Sequence, residues 1–459
     1  MIKFRPSILF LFGIFLFVSI CAKAQVDSVR IDTVQIENKE HSKFRKFYER
    51  VLFKKKKTSF PIQPNYRNED LYEGKIIRNI YYKTQDPFGY SLSDTTMRPT
   101  KWLERAGNTL HGKSKNFVLR QNLLFKKGDK YDSIKVSESE RLIRSNRSIR
   151  RVEIKGNLVG NDSIDVYVNS IDSWSMFITG SLSSSKVGIR VRERNFLGIG
   201  HVLDNRYRHN YKTGNSLYQF NYTVPNIAQT RIMGNIRYFK NEDNYYTKSL
   251  SFVRPFYSPL AHFAGGVSVG QVFFRDSLDY NKPVLEMNSF KYNYQDYWLA
   301  RAFKINNFGS DKITNFIVSA RFYDRTFKET PSLENDPAQY FSDQTNYMVG
   351  LGISSRRYEK TRFIFNYDID EDIAIGKSAG LIFGQQNIRQ TNRYYLGGKA
   401  SIGGFINTGI WGISAEYGRY FNRGKFEQKT LSLELQYMSK LSSWGRWRFR
   451  NFAKTNYLY

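Results

Sequence analysis

The sequence predicts a mainly β protein, a transmembrane antiparallel β-barrel preceded by one small α+β domain of order β-α-α-β-β. Three observations carry this. From about Trp174 to Tyr459, apolar and polar residues alternate through many short segments with no helical period. A basic and then apolar leader opens the chain. Aromatic residues make up 16% of the 459 positions, with 36 Phe, 32 Tyr and 6 Trp, as suits a barrel with aromatic girdles at both membrane interfaces. A closed barrel is the β structure that satisfies its own backbone in hydrocarbon.

Residues 1–24 read as a cleavable signal peptide. Lys3 and Arg5 supply the positive start, Ile8 to Ile20 the apolar stretch, and Ala22-Lys23-Ala24 the small-residue cleavage site before Gln25. The apolar stretch of 13 residues falls short of the roughly 20 a spanning helix needs. Lipidation at Cys21 is disfavoured by the large Ile20 before it. Cys21 is the chain's one cysteine, so the mature chain is expected to use no disulfide, thiol nucleophile or cysteine-rich metal site.

No later apolar run is long enough to span as a helix. The mean hydropathy of −0.54 is compatible with a barrel, since only alternate residues face lipid. The net charge of +30 would suggest nucleic acid in a cytoplasmic chain. In an exported one it points instead to anionic lipid, lipopolysaccharide and a basic barrel lumen.

Residues 25–73 are polar and irregular, with the basic run Lys54 to Lys57. They read as a periplasmic linker, or as a contact with an anionic membrane surface.

Residues 74–172 read as the α+β domain. Lys75 to Tyr82 is a strand with Ile76, Ile77, Ile80 and Tyr81. Asn116 to Phe125 is a helix ending at Gly128-Asp129. A second helix is expected from Ser137, with Ser137 and Glu140 as a capping box. Arg151 to Lys155 and Asp162 to Ser170 complete the domain as strands.

Residues 173–459 read as the barrel, of roughly 12–16 strands. Tyr218, Phe220, Tyr222 and Val224 share one face against Gln219, Asn221 and Thr223. Ile232, Ile236 and Tyr238 oppose Arg231, Asn235 and Arg237. The same alternation recurs over Trp411 to Gly418 and Leu431 to Tyr437. The apolar face suits lipid and the polar face a wet lumen. A soluble sandwich also alternates, but the strands here are long and the segment exceeds one ordinary sandwich.

The α+β unit resembles a POTRA (polypeptide-transport-associated) domain. The resemblance rests on Phe117 to Asp129, on Glu140 to Arg147 and on Asp162 to Val166. Beyond it, Asn195-Phe196-Leu197-Gly198-Ile199-Gly200 is similar to the N-F-L-G-x-G hairpin of the BamA/TamA-type outer-membrane assembly superfamily, whose barrels are called surface antigens. The resemblance implies an outer-membrane protein with its N-terminal domain in the periplasm. It would assist insertion of proteins into the outer membrane or their translocation across it. Its partners would be unfolded outer-membrane or secreted clients, with accessory lipoproteins. POTRA domains can pair an exposed strand edge with a client. The candidate edges are Val152 and Ile154 in one strand and Ile164, Val166 and Val168 in another, unless these pair only within their own domain. Two alternatives stand beside this: an exporter of one dedicated client of the two-partner-secretion kind, and a passive pore or structural barrel.

The family also carries a late (V/I)-R-G-(F/Y) loop. Here Arg423-Gly424 is followed by Lys425, and Arg446 to Arg450 resemble the strand before that loop. The missing motif predicts a barrel lacking its final strands; the aromatic residues Tyr457 and Tyr459 instead favour a complete, divergent one.

No His-Glu-x-x-His, Gly-x-Ser-x-Gly or P-loop pattern occurs, and no catalytic residue, metal or cofactor is expected. The histidines at 41, 111, 201, 209 and 262 are scattered, with His201 and His209 placed on neighbouring barrel segments. The acidic cluster Asp368, Asp370, Glu371 and Asp372 lacks EF-hand spacing and reads as a solvated connection between strands.

Overall fold

A computed structural model describes residues 71–94, 96–278, 286–305, 313–365, 369–445 and 447–459. The expected leader, the linker up to residue 70, Asp368 and Arg446 lie outside the described residues. The described residues belong to one compact unit, which holds both the α+β part and the barrel.

The α+β part is β1 (Ile76–Gln85), α1 (Trp102–Leu110), α2 (Asn116–Arg120), α3 (Ser133–Ser145), β2 (Ile149–Val159) and β3 (Ser163–Asp172). The three strands form a mixed sheet of order β1-β3-β2, parallel between β1 and β3 and antiparallel between β3 and β2. Its core is apolar: Ile77, Leu119, Ile143, Ile164, Val166 and Val168 are fully buried. Each such burial contributes about 1.5–3 kcal/mol. On β1, Arg78 forks onto the buried Asp165 carboxylate at 2.9 and 2.5 Å. Those hydrogen bonds hold Asp165 below the usual carboxylate range.

Three expectations for this part need correcting. The helix α3 begins at Ser133, four residues before the expected cap. Asp132 caps it by accepting from the Lys135 amide at 3.0 Å. Glu140 is thereby mid-helix, and its carboxylate accepts from the Ile154 amide at 3.3 Å. The helix α1 was not expected at all, so the observed order is β-α-α-α-β-β. Finally, β3 is the central strand, bonded to β1 along one flank and β2 along the other. Ile164, Val166 and Val168 therefore cannot offer a free edge. Val152 and Ile154 do lie on the edge strand β2, but Glu140 already occupies the Ile154 amide.

The barrel sheet has fifteen antiparallel strands in chain order, within the expected range. They are β4 (Met176–Leu182), β5 (Lys186–Phe196), β6 (His201–Asn210), β7 (Ser216–Ile227), β8 (Ile232–Lys240), β9 (Tyr246–Arg254), β10 (Phe263–Ser277) and β11 (Met287–Ile305). There follow β12 (Ile313–Glu329), β13 (Gln344–Arg362), β14 (Asp370–Ile388), β15 (Thr391–Ile406), β16 (Gly409–Asn422), β17 (Lys425–Ser439) and, last, β20 (Phe452–Leu458). A short hairpin, β18 (Ser442–Trp444) and β19 (Trp447–Phe449), stands apart between β17 and β20. Several strands reach 19 residues, longer than the alternation alone delimits.

Contacts to the α+β part show that the sheet curls. Asn146 lies against Gly200, in the turn before β6. Arg144, two residues earlier, bonds Asp372 on β14. Eight strand spacings separate β6 from β14, about 38 Å if the sheet were flat. Two residues of chain and one Arg side chain span only about 15 Å, so the sheet wraps round to bring these ends together. Alternate side chains point out: on β13, Tyr347, Val349, Leu351 and Ile353 are exposed, while Met348, Gly350 and Gly352 turn the other way.

Candidate functional site: the barrel mouth and its seam

Chain reversals on one rim of the barrel carry the α+β part, and two of them use the same device. In the β5–β6 turn, Asn195 is 1% exposed. Its Oδ1 accepts from the Gly200 amide at 2.8 Å, closing its own turn. Its Nδ2 donates to the Gly112 carbonyl at 2.7 Å and the Ser114 hydroxyl at 3.0 Å. In the β7–β8 turn, Asn226 accepts from the Arg231 amide and donates to the Gln121 carbonyl, both at 2.8 Å. Each Asn shapes a turn and hooks it to the α+β backbone.

The expected hairpin motif is thus a docking element. Leu197, Gly198 and Gly200 all have positive φ. A Cβ on Gly198 would run into the Lys113 carbonyl, while the Gly198 carbonyl accepts from the Lys115 amide at 2.9 Å. Phe196 packs edge-on against Tyr222. Replacing Asn195 by Ala should destabilise the docked state by about 1–3 kcal/mol, because a buried carbonyl and a turn amide lose their partner. Guanidinium unfolding of the membrane-reconstituted chain checks this, with Asn195→Asp expected to lose the donor contacts but keep the turn.

A buried pair sits at the end of the α+β part, just before the chain enters the barrel. His111 Nε2 lies 2.9 Å from Asp172 Oδ2, with both side chains wholly buried. Asp172 also accepts from the Ser114 amide at 2.7 Å. Trp174 packs on Phe88 and His111. His201 and His209, expected on neighbouring segments, both lie on β6 and bond Tyr222 and Ser216 respectively.

The helix α3 makes the second anchorage. Glu138 holds Arg141 at 2.9 Å and accepts from the Ser258 hydroxyl at 2.8 Å. Arg141 donates to the Tyr257 carbonyl at 2.6 Å and stacks on the Tyr358 ring at 3.9 Å. Arg144 forks onto Asp372 at 3.0 and 2.7 Å and also pairs with Glu140. Burial pulls the Arg144 guanidinium pKa down, but Asp372, Glu140 and Asp370 outweigh it and hold it above its ordinary value. The acidic cluster is therefore no solvated connection. Asp372 receives Arg144, Asp370 pairs with Lys360 and Arg362, and Glu371 accepts from the Ile364 and Phe365 amides. Among the described residues, no group of His, Cys, Asp or Glu is arranged to hold a metal ion.

The lumen wall of β5 and β6 is basic. Arg190 and Arg192 converge on Asp204 at 2.6 and 2.7 Å, and Arg208 and Lys186 on Glu242 at 2.7 Å each. On the opposite face of the same strands, Ile189 and Tyr207 are exposed.

The remaining feature is a seam. The strands β4 and β20 end the sheet, and among the described residues neither has a strand partner on its outer side. Every residue of both is exposed.

Comparison with protein-family models and with curated protein sequences finds no match. Among solved structures, the chain is similar to BamA from Haemophilus ducreyi lacking POTRA domains 1–3. The identity is 12%, the TM-score 0.33, and the match covers 83% of this chain and 85% of that one. It is also similar to CdiB from Acinetobacter baumannii, with 10% identity, a TM-score of 0.31 and coverage of 91% of this chain and 96% of that one.

Proposed function

We propose that this chain is an outer-membrane barrel that assists the insertion of unfolded polypeptides into the membrane or their passage across it, engaging them along β4. The single observation behind this is the α+β part, hooked to the barrel rim immediately ahead of β4 through Asn195, Asn226 and Arg144. A client strand paired with β4 would have its backbone satisfied while held in the bilayer. The α+β part, read as POTRA-like despite its additional helix α1, would lie on the periplasmic rim, where clients arrive. Outer-membrane lipid, lipopolysaccharide and accessory lipoproteins are the further partners of this reading.

Photo-crosslinkers at Ile178 on β4 and Thr455 on β20, in growing cells, test it. Adducts with several nascent barrel proteins are expected at both positions and none at Leu351 on the barrel wall. The absence of client adducts at the seam, with steady small-ion conductance by the purified chain, would leave a passive pore. The basic lumen wall at Arg190, Arg192 and Arg208 favours a second reading, export of one dedicated client through the lumen. A single secreted protein crosslinked to Arg192-adjacent positions would support that one.

A further inference from the structure

The helix α1 presents its apolar side to nothing in the described chain. Trp102, Leu103, Ala106 and Leu110 fall on one face at helical spacing, and all four are exposed, Trp102 by 70%, Leu103 by 64% and Leu110 by 71%. No residue of the helix is buried. The helix is nevertheless fixed in place. Gly107 sits against the Phe88 ring, so a Cβ there would clash. The Asn108 side chain exchanges hydrogen bonds with the Phe88 backbone at 3.0 and 3.1 Å. Glu104 accepts from the Thr100 and Lys101 amides at its start. A helix so tethered, with a bare Trp and two bare Leu, is built to meet an apolar phase.

Its position says which one. His111, directly after the helix, is locked to Asp172 and packs on Trp174, two residues before β4 begins. The outward residues of β4, Met176 and Ile178, are exposed there, so the C-terminal end of α1 lies near the start of the barrel's lipid-facing band. The charges around it are mostly positive, although Glu104 is in the helix and Asp86 lies 3.8 Å from Lys113. Lys101, Arg105, Lys113 and Lys115 are exposed. An open groove between β1 and the segment that follows the helix is lined by Lys83, Lys113 and Lys115 among others. The β18–β19 hairpin, which precedes β20 in the chain, also exposes Trp444 and Trp447.

We propose that α1 is an interfacial anchor for the periplasmic leaflet of the outer membrane. Trp102, Leu103 and Leu110 enter the acyl boundary, while Lys83, Lys113 and Lys115 bind the phosphates of anionic phospholipid. This combination of tryptophan, leucine and flanking cations is what membrane-surface helices use. The anchor would pin the α+β part to the bilayer beside β4 and fix the strand's height at the seam. It rests on the barrel spanning a membrane, but not on any client.

The full chain carrying Cys21→Ser, reconstituted into phosphatidylethanolamine vesicles with or without phosphatidylglycerol, provides the test. Single cysteines from Leu103→Cys, Arg105→Cys and Val349→Cys are labelled with an environment-sensitive fluorophore. Expected is blue-shifted emission at 103, quenched by nitroxide placed high on the lipid chains, with position 105, off the apolar face, markedly less quenched and position 349 quenched. Lys113→Glu with Lys115→Glu should abolish the added quenching that phosphatidylglycerol brings at 103. Quenching at 349 but not at 103 overturns the anchor and leaves the barrel reading standing. An unquenched 349 overturns both. Because α1 buries no side chain, Trp102→Ser with Leu103→Ser should leave heat-modifiable gel mobility intact while releasing the helix from lipid. Loss of folded mobility in that variant would mean the face packs on protein, and the proposal would fail.

Discussion

Replacing Arg144 by Met should detach the α+β part from the barrel mouth more strongly than any other single change in the domain. Arg144 is 7% exposed and Asp372 13%, and the fork between them crosses from helix α3 to strand β14. Removing one partner of a buried pair typically costs about 3–5 kcal/mol, because the other charge is left without compensation. Here two carboxylates, Asp372 and Glu140, lose the same cation. Glu140 retains Lys360 at 3.3 Å, which places the loss mainly on Asp372. The double variant Arg144→Met with Asp372→Asn should therefore be less damaged than either single change predicts.

Guanidinium unfolding of the reconstituted chain, run as a double-mutant cycle, measures this. A coupling well above the roughly 0.5 kcal/mol scatter of independent sites is expected. An additive cycle would mean that Arg144 and Asp372 are exposed neighbours, and that the hooks at Asn195 and Asn226 alone hold the domain.

Much of the architecture is written locally in the chain. The alternation at Tyr218 to Val224 and at Leu431 to Tyr437 marks β7 and β17 because a barrel wall has a two-residue period with an oily outside. The hairpin Asn195 to Gly200 is visible because positive φ demands its glycines. What could not be read depends on distant partners. Arg144 and Asp372 are 228 residues apart, so the acidic cluster looked like a solvated loop. The strand β3 alternates as an edge strand would; only its pairing with β1, across three helices, makes it central. Ser137-x-x-Glu140 fits a capping box, yet Asp132 caps one turn earlier and Glu140 is drawn to Ile154, Arg144 and Lys360. The helix α1 escaped notice because nine residues with no buried face give no core signal.

Introducing a charge at the middle of β13 should discriminate the two faces of the wall. Leu351 is 41% exposed and lies between Val318 of β12 and Leu381 of β14 in the register, so three apolar side chains form one outward patch. Arg at a lipid-facing midplane site costs about 2–4 kcal/mol, falling toward zero near the interfaces. Leu351→Arg should therefore lower the folded, membrane-inserted fraction sharply. Ser354 is three residues further and on the opposite face, flanked by Asn315 and Ser378. Its side faces the lumen, where Arg can remain hydrated, and Ser354→Arg should cost well under half as much. Unfolding in lipid vesicles gives both numbers. Tyr347→Arg, on the lipid face four residues from Leu351 and nearer the strand end, should fall between them, since the penalty follows depth. Equal costs at 351 and 354 would mean that water reaches both sides of the sheet. An exterior of Val349, Leu351 and Ile353 would then have no hydrocarbon to meet, and the seam would be an ordinary pair of solvated edges.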